Sequence, residues 1–236
     1  MTGSVPPSIS PHHQLTPLAR RLVAGHVCIT AVFVVINLSP LIDSWAVSWL
    51  FELNTERNVT VWFSSTSLLL ISLVALDLAV QPRIDARSWG LVAAMFAFLS
   101  LDEAASIHEL VGFLFSERVG TIDALPGLYA WVAVLAPIAL VAAIVLGRWI
   151  MRQAGPGTPA RRLGLTALCL WALVPVAEFL DPQLGVPRVL VVLEESLELV
   201  GIGLMLGAFV QMHSRLNSRP PASRIADVER YEMRAA

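Results

Sequence analysis

Six apolar stretches, at residues 20 to 39, 59 to 80, 88 to 115, 126 to 150, 163 to 181 and 187 to 211, dominate this chain. Each is close to or above the roughly 20 residues that carry an α-helix across about 30 Å of hydrocarbon. The breaks between them are short. They fall at Pro40, at Gln81-Pro82-Arg83, at 116 to 123, at Gly155-Pro156-Gly157-Thr158-Pro159 and at Asp181-Pro182, all sequences that stop helices. The composition agrees: 56% of residues are hydrophobic and 14% charged, against roughly a quarter charged in a soluble domain. The expected fold is therefore an all-α polytopic membrane bundle of about six transmembrane helices. A net charge of -2 gives no reason to expect a nucleic-acid partner. Cys28 and Cys169 each lie inside an apolar run, so neither a disulfide framework nor a Cys-x-x-Cys site is expected.

Arginine sets the orientation, because cytoplasmic loops carry the excess of positive charge. With the N-terminus inside, thirteen of the sixteen arginines fall on the cytoplasmic side, and only Arg57, Arg118 and Arg188 fall outside. An N-in, C-in chain in the cytoplasmic (inner) membrane of a bacterium follows as the expectation. Residues 1 to 18, with Pro6, Pro7 and Pro11, and residues 214 to 236 are expected to be disordered cytoplasmic tails around a 19 to 213 transmembrane domain. Trp45, Trp49 and Trp62 are expected at the outer interface, Trp89 and Trp149 at the inner one. The segment Asp43 to Glu52 is too short to span and reads as an interfacial helix.

The anomaly is acid inside the hydrocarbon. The third stretch contains Asp102, Glu103, His108 and Glu109, the fifth ends with Glu178 and Asp181, and the sixth contains Glu194, Glu195 and Glu198. Each charge at a helix centre costs about 2.5 to 3.5 kcal/mol on insertion scales. At about 1.5 Å per residue, Asp102 and Glu103 lie about 10 Å below the outer surface, Glu178, Glu194 and Glu195 about 8 to 9 Å below it, and Glu198 nearer 14 Å. Three helices thus place acids in one layer, with His108 and Glu109 at its mouth. On an ideal helix the three glutamates of the sixth stretch share a sector of about 100° that continues through Gly201 and Met205. On a continuous third helix Asp102, Ser106 and Glu109 form one stripe, while Glu103 and His108 diverge to either side of it.

Such acids can be protonated and hydrogen-bonded between helices, paired with the outer arginines, or gathered around a cation. A divalent metal, iron, manganese or zinc, offsets several carboxylates at once. The expected ligands are Asp102, Glu103, Glu109, Glu195 and Glu198, with His108, Glu194 and Glu178 as catalytic acid or base groups. Ferritin-like Glu-x-x-His ligation is not matched, since Ala105 stands three residues before His108. Ser64, Ser65, Thr66 and Ser67 lie at the same depth, and the plain expectation is that they bond their own backbone. His26, Asn37 and Asp77 read as interhelical hydrogen-bonding or helix-end groups.

Glu52-Leu53-Asn54 to Asn58, Trp62-Phe63-Ser64-Ser65, Ser100-Leu101-Asp102-Glu103 with His108-Glu109, and Glu194-Glu195 with Glu198 together resemble a bacterial family of uncharacterised multi-pass membrane proteins, over most of residues 50 to 210. The resemblance implies a fold and no mechanism. A looser one, to intramembrane hydrolases of the alkaline-ceramidase type, implies a three-histidine zinc site whose histidines this chain lacks. Three functions remain open: a membrane-embedded metalloenzyme acting on a lipid or other hydrophobic small molecule at the outer face, a cation- or proton-coupled transporter, and a non-catalytic membrane module that binds a partner. The sequence does not determine oligomeric state.

Overall fold

The computed structural model describes residues 14 to 53, 55 to 81, 84 to 119, 130 to 184 and 187 to 218; the side chains at 112, 115, 116, 118, 119, 130 to 136, 178 to 184 and 187 lie outside the description. Both expected tails, apart from residues 14 to 18 and 214 to 218, fall outside it, as does most of the expected break at 116 to 123. The described secondary structure is wholly helical: α1 Pro17–Leu38, a 3-10 turn Pro40–Asp43, α2 Trp45–Phe51, α3 Val59–Ala79, α4 Ala86–Ala105, α5 Ile107–Val119, α6 Ala130–Ala154, α7 Pro159–Leu184 and α8 Pro187–Asn217.

Local chemistry sets most of the helix starts. Thr16 caps α1, its side chain accepting from the Ala19 N–H, and Pro17 occupies a first-turn position where no N–H is needed. Asn58 caps α3 by accepting from the N–H groups of Thr60 and Val61 (both 3.0 Å), and Asp85 caps α4. The short helix expected at 43 to 52 is α2. The break at 155 to 158 stands where expected, with Gly155 and Gly157 at φ +73° and +71°, a conformation that suits glycine. Asp181-Pro182 does not stop the fifth stretch, because α7 continues to Leu184.

Five helical segments are long and apolar enough to cross a membrane: Pro17–Leu38, Val59–Ala79, Ala86–Ala105, Pro137–Ala154 and Pro159–Ala177. Their outward faces carry Val32, Val35, Leu73, Leu91, Leu140, Val145 and Val176, all at least half exposed. Apolar cover on that scale is costly in water and natural against lipid. The sixth expected span, α8, does not stand among the five. It has 31 residues, enough to span, but the glutamates lie in its first twelve residues and much of its remainder is buried by its neighbours.

α8 is the axis of the bundle, packed most extensively against α7 and α1 and also against α3, while α3 pairs with α4. Glycines let the helices approach. A Cβ on Gly203 would lie 2.6 Å from the His26 ring, and Gly201 lies directly under the Trp171 indole. Trp171 Nε1 also donates to the Glu198 carbonyl (3.2 Å). Beyond these contacts the core closes with aromatic rings: Trp89 meets Trp149 edge-on at 4.6 Å, and Phe209 lies 5.3 Å from Phe96 and 5.8 Å from Trp149. Trp89 is thus fully buried, not the interfacial anchor expected of it. Trp45, Trp49 and Trp62 are 64% to 80% exposed, as an interface position requires.

At the opposite end two asparagines bind the connection between α1 and α3. Asn37 donates to the carbonyls of Phe33 (2.9 Å) and Phe51 (2.8 Å) and accepts from the Leu53 N–H (3.1 Å). Asn58 donates to the Glu52 carbonyl (2.5 Å) and to Thr55 Oγ1 (2.9 Å). Asn58→Ala should therefore cost about 1 to 2 kcal/mol in reversible unfolding in detergent. Gly203→Ala, which drives a methyl group into His26, should cost about 1 to 3 kcal/mol. Gly25→Ala, with no atom within 4 Å of the added carbon, should be neutral or stabilising in the same assay.

Candidate functional site

The third stretch is not one helix. Ser106 adopts a left-handed conformation, φ 50° and ψ 44°, and ends α4; α5 starts afresh at Ile107. The Asp102 side chain makes this turn hold, because its Oδ1 accepts from the His108 N–H (2.8 Å) while its Oδ2 meets His108 Nδ1 (3.1 Å). An aspartate that satisfies a first-turn N–H and faces the imidazole on the same turn supplies the hydrogen bonding lost at the break. The stripe of Asp102, Ser106 and Glu109 expected of a continuous helix is interrupted at Ser106; His108, expected to one side of it, partners Asp102, while Glu103 and His108 diverge as expected.

Glu103 points the other way, into α3, where Ser64 Oγ donates to Glu103 Oε1 (2.5 Å). This contact tops a polar seam between the antiparallel α3 and α4. One step below, Ser65 Oγ donates to the Ser100 carbonyl and Ser100 Oγ to the Ser65 carbonyl, both at 2.8 Å. Two turns lower Ser72 Oγ donates to the Ala93 carbonyl (2.7 Å). Positions 65 and 72 on α3 face 100 and 93 on α4, so a seven-residue spacing on each helix keeps the seam on one face. Ser65 reaches across helices, contrary to the plain expectation; Ser64 both reaches Glu103 and faces its own helix at the Thr60 and Val61 carbonyls (3.2 and 3.0 Å), and Ser67 bonds its own helix at the Phe63 carbonyl (2.8 Å) as expected.

The acids of α4 and α8 do converge. Glu195 lies within range of the charges of Glu198, Glu103, Glu194 and Glu56, and His108 within range of those of Asp102, Glu109 and Glu198. Glu56, in the loop before α3, was not singled out from sequence. Its only signal was a carboxylate in a four-residue interval between Glu52 and Arg57, and its approach depends on how Asn58 folds that loop. Glu178 belongs to α7, but its side chain lies outside the described residues. Arg188 Nη2 bonds Asp43 Oδ1 at 3.1 Å, and the side chain of Arg118 lies outside the description. Asp77 links to His213 Nε2 at 2.8 Å and Asn37 to the Phe51 carbonyl, the interhelical roles expected of both. His26 bonds the Leu199 backbone of α8 and also packs its ring against Phe63 at 4.4 Å.

The expected metal ligands do not come together as one set. Among the described residues no three or more His, Cys, Asp or Glu side chains gather in a set able to hold an ion. The physical reason is that Asp102 is turned to His108 and Glu103 to Ser64, so the helix break splits the α4 acids that were to be ligands together. What remains is an aspartate–imidazole pair beside a group of carboxylates. His108, beyond the end of the spanning helix, is pushed up to about 9 from the usual 6.5, first by its hydrogen bond with Asp102, against the opposing effect of burial, with the charges of Asp102, Glu109 and Glu198 adding to it.

A chain whose described residues are wholly helical, with five helices able to cross a membrane and the acids of α4 and α8 gathered together, has the makeup of a multi-pass membrane protein. The chain belongs to the family described as Domain of unknown function (DUF8692), whose model matches residues 21–212. No curated protein and no solved structure matches it.

The raised imidazole has a consequence for stability. Its contribution is complete below the unfolded value of about 6.5 and is lost as pH rises through about 9. Between pH 6 and 10 the gap in melting temperature between the protein and its Asp102→Asn variant should therefore shrink steadily and close near the upper limit.

Proposed function

We propose that this protein is a six-span, N-in and C-in protein of a bacterial cytoplasmic membrane, with an acid–base centre at its outer face that acts on a lipid-borne or other hydrophobic molecule. The observation that carries this reading is the Asp102–His108 pair, 3.1 Å between Oδ2 and Nδ1. A carboxylate that orients an imidazole through one ring nitrogen turns the other toward a reacting group, the usual way of preparing a histidine for proton transfer. Asp102 is the positioning residue and His108 the acid or base. Glu103, Glu194, Glu195 and Glu198 form a group of carboxylates behind it that can exchange protons with the imidazole. Leu101, Leu110, Phe113 and Leu114, each at least 47% exposed, surround the pair with apolar surface that suits a substrate arriving from the bilayer. Six spans rest on α8 crossing with the other five, and the orientation on thirteen arginines against three.

Coupling to a proton or cation gradient is the second reading, supported by the same carboxylates. The aromatic plug of Trp89, Phe96, Trp149 and Phe209 counts against it, because it closes the core between the acids and the opposite end. A resident iron, manganese or zinc ion does not fit the described side chains, and no step is assigned to one.

The test uses purified full-length protein in liposomes of mixed bacterial-type phospholipids, with lipid products followed by mass spectrometry. His108→Gln and Asp102→Asn should each lower turnover by about 100-fold or more, and Glu109→Gln, on the exposed side of α5, should have little effect. Turnover that is unchanged in both of the first two variants would end the acid–base reading. Ion uptake into the same vesicles, abolished by Glu195→Gln, would replace it with transport.

A further inference from the structure

At the end remote from the acids, α1 and α7 begin side by side around an open recess of about 470 Å³ lined by Gln14, Leu15, Arg20, Pro159, Arg162 and Leu163. That volume is within the usual range for small-ligand sites, about 300 to 1,000 Å³. Two arginines from different helices reach it. No acidic residue occurs between 14 and 25 or between 155 and 168, so no nearby carboxylate in either segment neutralises them. Arg21 and Arg161 stand next to them in sequence and reinforce the positive field.

The wall of the recess is held from within. Gln211 of α8, buried to 8% exposure, accepts from the Thr16 N–H through Oε1 (2.7 Å) and donates through Nε2 to the Gln14 carbonyl (3.2 Å). These two bonds fix the chain just before α1 against the bundle. Arg162 is steadied by a bond from Nη2 to the Gly157 carbonyl (3.1 Å). Both helices start here with proline in the first turn, so the positive ends of two helix dipoles point toward the same region as the guanidinium groups.

We propose that this recess is a binding site for a phosphate-bearing anion, held by Arg20 and Arg162. Guanidinium groups match phosphate oxygens in pairs, and helix starts favour the same charge. Leu15, Leu163 and Pro159 give the recess an apolar side. On a bundle inserted in a bilayer this site lies at the depth of lipid headgroups on the arginine-rich side, where an anionic phospholipid presents its phosphodiester beside its acyl chains. The proposal stands independently of the acid–base centre, since it uses neither its residues nor its end of the molecule.

Native mass spectrometry of the full chain in detergent tests it, with phosphatidylglycerol, phosphatidylcholine and inorganic phosphate as probes. The protein should retain one phosphatidylglycerol preferentially over phosphatidylcholine. Arg20→Gln/Arg162→Gln should weaken this about tenfold or more, Arg20→Lys/Arg162→Lys less so, and the charge-matched control Arg87→Gln/Arg148→Gln should leave it unchanged. Retention that survives millimolar inorganic phosphate assigns the site to the lipid headgroup. Binding of inorganic phosphate itself, with no preference among lipids and sensitivity to the same Arg20 and Arg162 substitutions, assigns it to the free anion. Equal loss in the Arg87/Arg148 control, or no loss in the Arg20/Arg162 glutamine pair, overturns the proposal. If the glutamine pair does not fold, the lysine pair against the same control carries the comparison.

Discussion

A carboxylate in hydrocarbon must be protonated, hydrogen-bonded or paired, and the acid-bearing half of this bundle is arranged around that requirement. Glu103 is held by Ser64. Asp102 is held by the main chain and ring of His108, and this capture turns a helix that hydropathy reads as continuous into two. The helix break and the polar pair are therefore one event. Without Asp102 the His108 N–H in the first turn of α5 loses its partner, and without the left-handed Ser106 that N–H cannot reach back to the aspartate.

The serine seam below Glu103 follows the same logic at lower cost. Hydroxyls carry no charge and can cross to a neighbouring carbonyl without leaving a donor bare. Spaced by two turns on facing antiparallel helices, they align α3 with α4 and thereby set where Glu103 emerges. α8 works differently. Its middle is small and apolar, and Gly201 and Gly203 admit Trp171 and His26 into direct contact with the helix backbone. Close approach through glycine is the packing mode expected where lipid offers no hydrophobic drive for association. It also brings Glu195 and Glu198 into charge range of groups on α4 and α5.

Between its ends the bundle is closed by aromatic packing. Trp89, Phe96, Trp149 and Phe209 come from α4, α6 and α8, so the plug forms only after three distant segments assemble. It gives the molecule two chemically different ends. One is acidic and holds an oriented imidazole, the other is basic and holds the recess between α1 and α7.

Much of this was legible in the residues alone. Apolar runs near 20 residues predict helices because a buried backbone must bond to itself. Proline and glycine at 155 to 159, asparagine at 58 and threonine at 16 mark helix boundaries through chemistry local to each. That acids of α4 and α8 could approach one another followed from a fixed rise per residue. The pairing of those acids did not. Helical periodicity assumes an unbroken helix, so one left-handed residue at Ser106 was enough to turn His108 onto Asp102 and to divide the imagined metal ligands. Glu56, Ser64 and the buried position of Trp89 depend on which helices are neighbours, and hydropathy contains no neighbour information. What the chain determined by itself was the all-helical class and most of its helical segments; where the third stretch breaks and which polar residues meet was decided by tertiary packing, because contact depends on rotation and proximity between segments far apart in sequence.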